Sequence, residues 1–260
     1  MSTFSASPSR RRTMRGFTLI EILVAIAIGL FLIGGLLTLV QAMRRTNTNQ
    51  SGLSNLQDNE RMAMQIISDV IQSTGYFVSP LTNSASSAFP VATYGSASFT
   101  TAGQGLYGTK PSSDVITSRY QTNGLDGVIN CTGNISTTAT PTAPVTWANQ
   151  ISITTVGGTS YLTCQVWANG VSTGAVPLIP NVTAMSISYG VTTGQGSASN
   201  SVDTYLSASA MTSTYWGAVR SVMISLTFPN PMAGQPGQTS TTITFTRVID
   251  VMNKNGVTTT

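Results

Sequence analysis

The sequence predicts an α+β chain: a long amino-terminal α-helix, membrane-spanning in its first half, packed on a carboxy-terminal antiparallel β-sheet domain. Three observations lead there. Ile22 to Val40 are nineteen consecutive uncharged residues. Leu53, Leu56, Ala63, Ile66, Ile67, Val70 and Ile71 then recur at helical spacing. Beyond about residue 148, strand-like runs follow one another with no long helical pattern between them.

Extended back to Phe17, the apolar run covers 24 residues, about 36 Å as a helix, enough to cross a hydrocarbon core of about 30 Å. Arg10, Arg11, Arg12 and Arg15 precede it, and Arg44 and Arg45 follow. That bias keeps the amino terminus cytoplasmic and sends residues after about 45 outward. A cleaved secretory signal fits less well: the run is longer than an ordinary h-region, no A-x-A-like site follows, and its start contains an acid. Residues 46–52 are polar and read as a linker. The helical pattern beyond them has Asp58, Glu60, Arg61 and Asp69 on its polar face, with Gly75 and Pro80 marking its end.

Composition narrows the function. Only 8% of residues are charged, 72 are Ser or Thr, and there is no histidine. That removes Ser-His-Asp and Cys-His nucleophile pairs, HExxH zinc sites and imidazole acid–base chemistry. The net charge of +4 belongs to the four leading arginines, because from Phe17 onward eight Lys/Arg balance eight Asp/Glu. No basic patch on the folded part points to nucleic acid.

The acid at the start of the apolar run is Glu21. A carboxylate there is costly and is read as functional, with a partner to be named. The next basic side chain is Arg44. If the chain were cut after Gly16, Phe17 would carry a free α-amine about one turn from Glu21, and neighbouring helices could pair acid with amine. A carboxylate with its head in interfacial water is the plainer alternative.

Arg15-Gly16-Phe17-Thr18-Leu19-Ile20-Glu21, followed by Ile22-Leu23-Val24-Ala25-Ile26-Ala27, resembles the amino-terminal signature of type IV prepilins and pseudopilins. The resemblance implies a leader, residues 1–16, cut between Gly16 and Phe17 by a prepilin peptidase. It implies N-methylation of Phe17 and use of Glu21 in filament assembly. The chain departs from many major pilins in having no proline in this helix; the first after the cut is Pro80, and Gly34-Gly35 and Gly52 are its weak points. Further stretches resemble PilW-type minor pilins. They are Asp58-Asn59-Glu60-Arg61 leading to Ile71–Phe77, Ile129-Asn130-Cys131, Ser188-Tyr189-Gly190-Val191 with Asp203-Thr204-Tyr205, Val219–Leu226 and Phe245–Ile249. The resemblance implies a pilin-like fold, with a helix at 17–75 (17–40 in the membrane, 53–75 amphipathic) and a β-rich head at 76–260. It also implies a non-enzymatic subunit near the pilus tip that helps initiate assembly, with other minor pilins, the major pilin and a tip-associated adhesin as partners. The inner membrane holds it first and the extracellular pilus afterwards. No cofactor is implied.

Within the head, expected strands are Gln150–Val156, Ser160–Trp167, Val182–Val191, Val219–Phe228 and Thr241–Val251, with a hairpin turn at Gly157-Gly158. Gly194–Ser201 and Pro229–Gly237 read as loops, and the tail from 257 as disordered. Residues 80 to about 148 show little periodicity beyond an extended piece at Asp114–Thr117. Cys131 and Cys164 are the only cysteines; an even count on the outer side favours a disulfide over free thiols, and two cysteines without histidine do not fill a zinc site. Asp203 lacks a second carboxylate nearby for Ca²⁺.

Two rivals share parts of this pattern. A pseudopilin of a type II secretion system has the same amino-terminal features. An envelope-anchored enzyme on an uncleaved signal-anchor would have to build its site from Asp114, Asp126 and Asp203, the only acids between residues 70 and 249. Adhesion through the Ser/Thr-rich loops is compatible with the pilin reading.

Overall fold

The computed structural model describes residues 16–111, 113–194 and 201–252. The expected leader up to residue 15, most of the 194–201 loop and the tail from 257 lie outside them. Helix α1 runs from Leu19 to Gln72 without interruption. Thr46–Gly52 is therefore helix and not a linker. Its hydroxyls are absorbed by the helix itself: Thr46 Oγ1 donates to the Ala42 carbonyl and Thr48 Oγ1 to that of Arg44. Gly75, at φ 74°, ends the helical course in the left-handed conformation glycine tolerates.

Two units divide the chain, Met1–Ser51 and Gly52–Thr260. In the first, the described residues are helical from Leu19 onward, and the apolar side chains of that helix are exposed. The second is the head. Two antiparallel sheets and a small hairpin build it, where the sequence suggested one sheet. β1 (Ala92–Tyr94) and β2 (Ala97–Phe99) form the hairpin. β3 (Leu106–Thr109), β4 (Val115–Thr122), β5 (Val145–Val156), β6 (Thr159–Ala168) and β7 (Val171–Pro180) form a five-stranded meander in that order. β8 (Ala184–Val191), β9 (Thr204–Ser207), β10 (Ser221–Pro229) and β11 (Thr242–Asp250) form the second sheet, in the order β11-β10-β8-β9.

The expected turn at Gly157-Gly158 joins β5 to β6, both glycines at positive φ, as a two-residue hairpin loop requires. A second such turn at Asn169-Gly170 leads into β7, a strand the sequence reading passed over. Gly174, Pro177 and Pro180 obscure it. They are tolerated because β7 is an edge strand, with its register broken twice against β6.

Both sheets and the second half of α1 share one core. Ala63, Met64, Ile67, Val70 and Ile71 of α1 are buried with Ile116, Ile151 and Leu162 of the first sheet and Ile187, Ile224 and Leu226 of the second. Apolar side chains cannot bind this helix alone in a unique register, and polar anchors accompany them. Ser118 Oγ donates to the Val70 carbonyl at 2.9 Å. Asp114 joins the sheets, since its Oδ2 accepts from Ile187 N–H at 2.6 Å and its own N–H donates to the Met185 carbonyl at 3.3 Å.

Cys131 and Cys164 are joined by a disulfide, Cα–Cα 6.1 Å, across 33 positions of sequence. It ties the turn-rich 123–144 insertion to β6, and closing such a loop is worth about 3–4 kcal/mol in unfolded-state entropy. Cys131 N–H also donates to Asn149 Oδ1 of β5 at 3.1 Å.

Tyr189 of β8 is fully buried, and burial pushes its phenol pKa up. Its ring leans over Gly108 of β3, where a Cβ would collide with the phenol oxygen. Gly108→Ala is expected to destabilise the head by about 1–3 kcal/mol through overpacking. Chemical denaturation would measure it, and an unchanged midpoint would refute the contact.

Candidate functional site

The amino-terminal segment is the place where this chain spends its one intramembrane-type acid. Gly16, Phe17 and Thr18 precede α1, and Phe17 is 78% exposed. Thr18 caps the helix: its carbonyl and its Oγ1 both accept from Glu21 N–H, at 3.1 and 3.4 Å. Thr18-x-x-Glu21 has capping-box spacing, a signal overlooked beside the charge itself. The carboxylate sits in the first turn, where the helix dipole favours an anion. Phe17, Glu21 and Ala25 line one open groove with Ile22 and Ile26, about 390 Å³ in volume. The aromatic residue and the acid thus share a face of the segment.

From there to Val40 the helix offers a surface that is apolar but for Thr38. Leu19, Ile20, Leu23, Phe31, Leu36 and Met43 are all more than half exposed. The helix is long and apolar enough to cross a membrane, with none of its most apolar stretch buried within the chain. Such a surface in water would be strongly unfavourable, at about 25 cal/mol per Å². Lipid or other helices must cover it.

In the head, the three acids weighed for catalysis each serve a separate turn or strand. Asp114 binds the β8 backbone. Asp126 accepts from Thr122 Oγ1 at 2.6 Å and from the N–H groups of Asn123 and Val128. Asp203 accepts from Thr193 and Gly194 N–H, and those bonds hold its carboxyl below the usual range.

The most unusual charge in the head is one that sequence inspection missed. Arg119, in the middle of β4, is fully buried. Its Nε donates to the Gln104 carbonyl at 2.6 Å, Nη1 to that of Pro90 at 2.6 Å and Nη2 to that of Phe89 at 3.2 Å. The guanidinium lies 4.4 Å from the Phe99 ring centroid and 5.3 Å from that of Phe89. Burial lowers its pKa. This side chain folds the 89–105 segment onto the sheet, and no periodicity in sequence announces it.

Comparison with known families matches residues 11–37 to the prokaryotic N-terminal methylation motif and residues 151–254 to type IV pilus-assembly protein W. Neither the curated proteins nor the solved structures gave a match. The first match covers the capped start of α1 and its exposed apolar face; the second covers β6 through β11 and the second half of β5. The two matches support a type IV prepilin-like chain, similar to PilW-type proteins and related to the type IV pilus.

Proposed function

We propose that this chain is a minor type IV pilin, incorporated near the pilus tip and acting in the initiation of assembly. The observation that carries the reading is the exposed apolar helix with a single carboxylate in its first turn. Before assembly this helix anchors the chain in the inner membrane, with the head outside. Residues 1–16 are removed between Gly16 and Phe17, and the new Phe17 amine is methylated. In the filament the helix exchanges lipid for neighbouring helices. Glu21 then pairs with the amine of an adjacent subunit and sets axial register, because an unpaired charge among packed helices is costly.

The amphipathic stretch 53–75 packs on the head, and residues 76–260 supply contacts to other minor pilins, the major pilin and a tip-associated adhesin. The work is structural and not catalytic. A pseudopilin role in a type II secretion system shares the same amino-terminal chemistry. Deletion of the gene, assayed in parallel for sheared surface pili and for secreted exoproteins, separates the two. Loss of pili with normal secretion is expected; normal pili with blocked secretion would overturn the assignment to the pilus.

A further inference from the structure

We propose that the outer edge of β11 is a docking site for an extended strand of a different subunit, one that places a carboxylate opposite Arg247. The proposal does not depend on the amino-terminal assembly chemistry.

Edge strands expose unpaired backbone groups, and proteins blunt them by shortness, proline, bulges or charged side chains. Here three of the four lateral edges of the two sheets are blunted in their backbone, by shortness, proline or register breaks, whereas β11 has only side-chain charge, with Arg247 on the face of Phe245 and Ile249. β3 and β9 have 4 residues each, and β7 carries Pro177, Pro180 and two register breaks. β11 has 9 residues without proline or glycine, in unbroken register with β10.

The phase of its hydrogen bonds follows from the two ends of the ladder. Val251 N–H donates to the Arg220 carbonyl at 2.8 Å, and Asn230 N–H to that of Thr241 at 2.9 Å. In an antiparallel pair, hydrogen-bonded positions alternate, so Ile243, Phe245, Arg247 and Ile249 bond to β10. Thr244, Thr246 and Val248 turn their N–H and C=O outward, and Val248 is 52% exposed.

Charge selects the occupant. Among the described residues the one ion pair is Lys110–Asp114; Arg247 is exposed and has no carboxylate partner. An antiparallel strand added at this edge would meet Arg247 at a non-hydrogen-bonded position, where facing side chains come closest and opposite charges stabilise. A second copy of β11 fits poorly. Registers centred on Thr246, Arg247 or Val248 set the two Arg247 side chains directly or diagonally opposite, a like-charge pair.

Fluorescence anisotropy on the full chain in detergent micelles tests this, with a labelled TVTETVT peptide and its TVTKTVT counterpart as probes. The glutamate peptide is expected to bind roughly 5-fold more tightly than the lysine peptide. Arg247→Glu is expected to reverse that preference without altering the thermal unfolding midpoint. Thr246→Pro removes an outward N–H and none of the β10 ladder, and is expected to abolish binding of both peptides. Absence of binding, equal binding of the two peptides by the unaltered chain, or binding indifferent to Arg247→Glu would overturn the proposal. So would two alternative occupants: a gain in peptide affinity on truncation after Met252, which would assign the edge to the chain's own end, or a dimer dissolved by Thr246→Pro, which would assign it to a second copy.

Discussion

Glu21→Ala is expected to yield a protein that is inserted and trimmed normally yet is at least about 10-fold depleted from sheared pili. The two halves of that outcome have different physical origins. The carboxylate contributes to α1 as a first-turn acid, an effect of about 0.3–1 kcal/mol that a long apolar helix does not need in order to insert. Assembly is different: on the proposed pairing, removing the acid leaves a neighbouring amine buried without a counter-charge, at a cost of several kcal/mol. Glu21→Gln separates capping from charge. Glutamine satisfies the Thr18 capping spacing as well as glutamate does, so the account expects Glu21→Gln to fail in assembly just as alanine does. Wild-type piliation with either variant as the sole copy would show that charge pairing is unnecessary.

The largest effect on the head is expected at Arg119. Arg119→Ala removes three donors from the carbonyls of Gln104, Pro90 and Phe89, together with the guanidinium between the Phe89 and Phe99 rings. Charge-assisted bonds are worth about 1.5–3 kcal/mol each, and the carbonyl of buried Gln104, left without its donor, adds to the loss. A destabilisation of roughly 3–5 kcal/mol is expected, read from the denaturant midpoint of the detergent-solubilised chain. Arg119→Met restores most of the apolar volume but none of the donors, and is expected to rescue less than half of that. Full rescue by methionine would mean that packing and not hydrogen bonding holds the 89–105 segment.

Much of the amino-terminal half was legible because a single physical demand dominates it. An uncharged run of this length flanked by arginines reads as a membrane-type helix, and the 3.6-residue recurrence from Leu53 to Ile71 reads as a docked face. The buried residues of α1 fall on that face, with Met64 and Ser68 added. β5, β6, β8, β10 and β11 were legible from alternation and from Gly157-Gly158. β7 was hidden by its prolines, although Asn169-Gly170 ahead of it is among the strongest short hairpin signals. β4 was legible only at its start, in the extended piece Asp114–Thr117, because its buried positions include Thr117, Ser118, Arg119 and Gln121, polar residues that pass for surface until their partners are known. β1, β2 and β3, with 3, 3 and 4 residues, are too short for alternation to show. The division into two sheets depends on a local break, Asn181 at φ 64° just after Pro180, and on Asp114 reaching across to Ile187. No one-dimensional pattern contains a contact across 73 positions of sequence. At the amino terminus the acid was visible at once, while its cap, Thr18, was concealed inside the same motif.

The most direct test of the central claim is mass spectrometry of this protein recovered from sheared, purified pili. The account predicts an amino-terminal peptide that begins at N-methylated Phe17. Recovery only from the membrane fraction, as a chain that still carries the residues before Phe17, would contradict it.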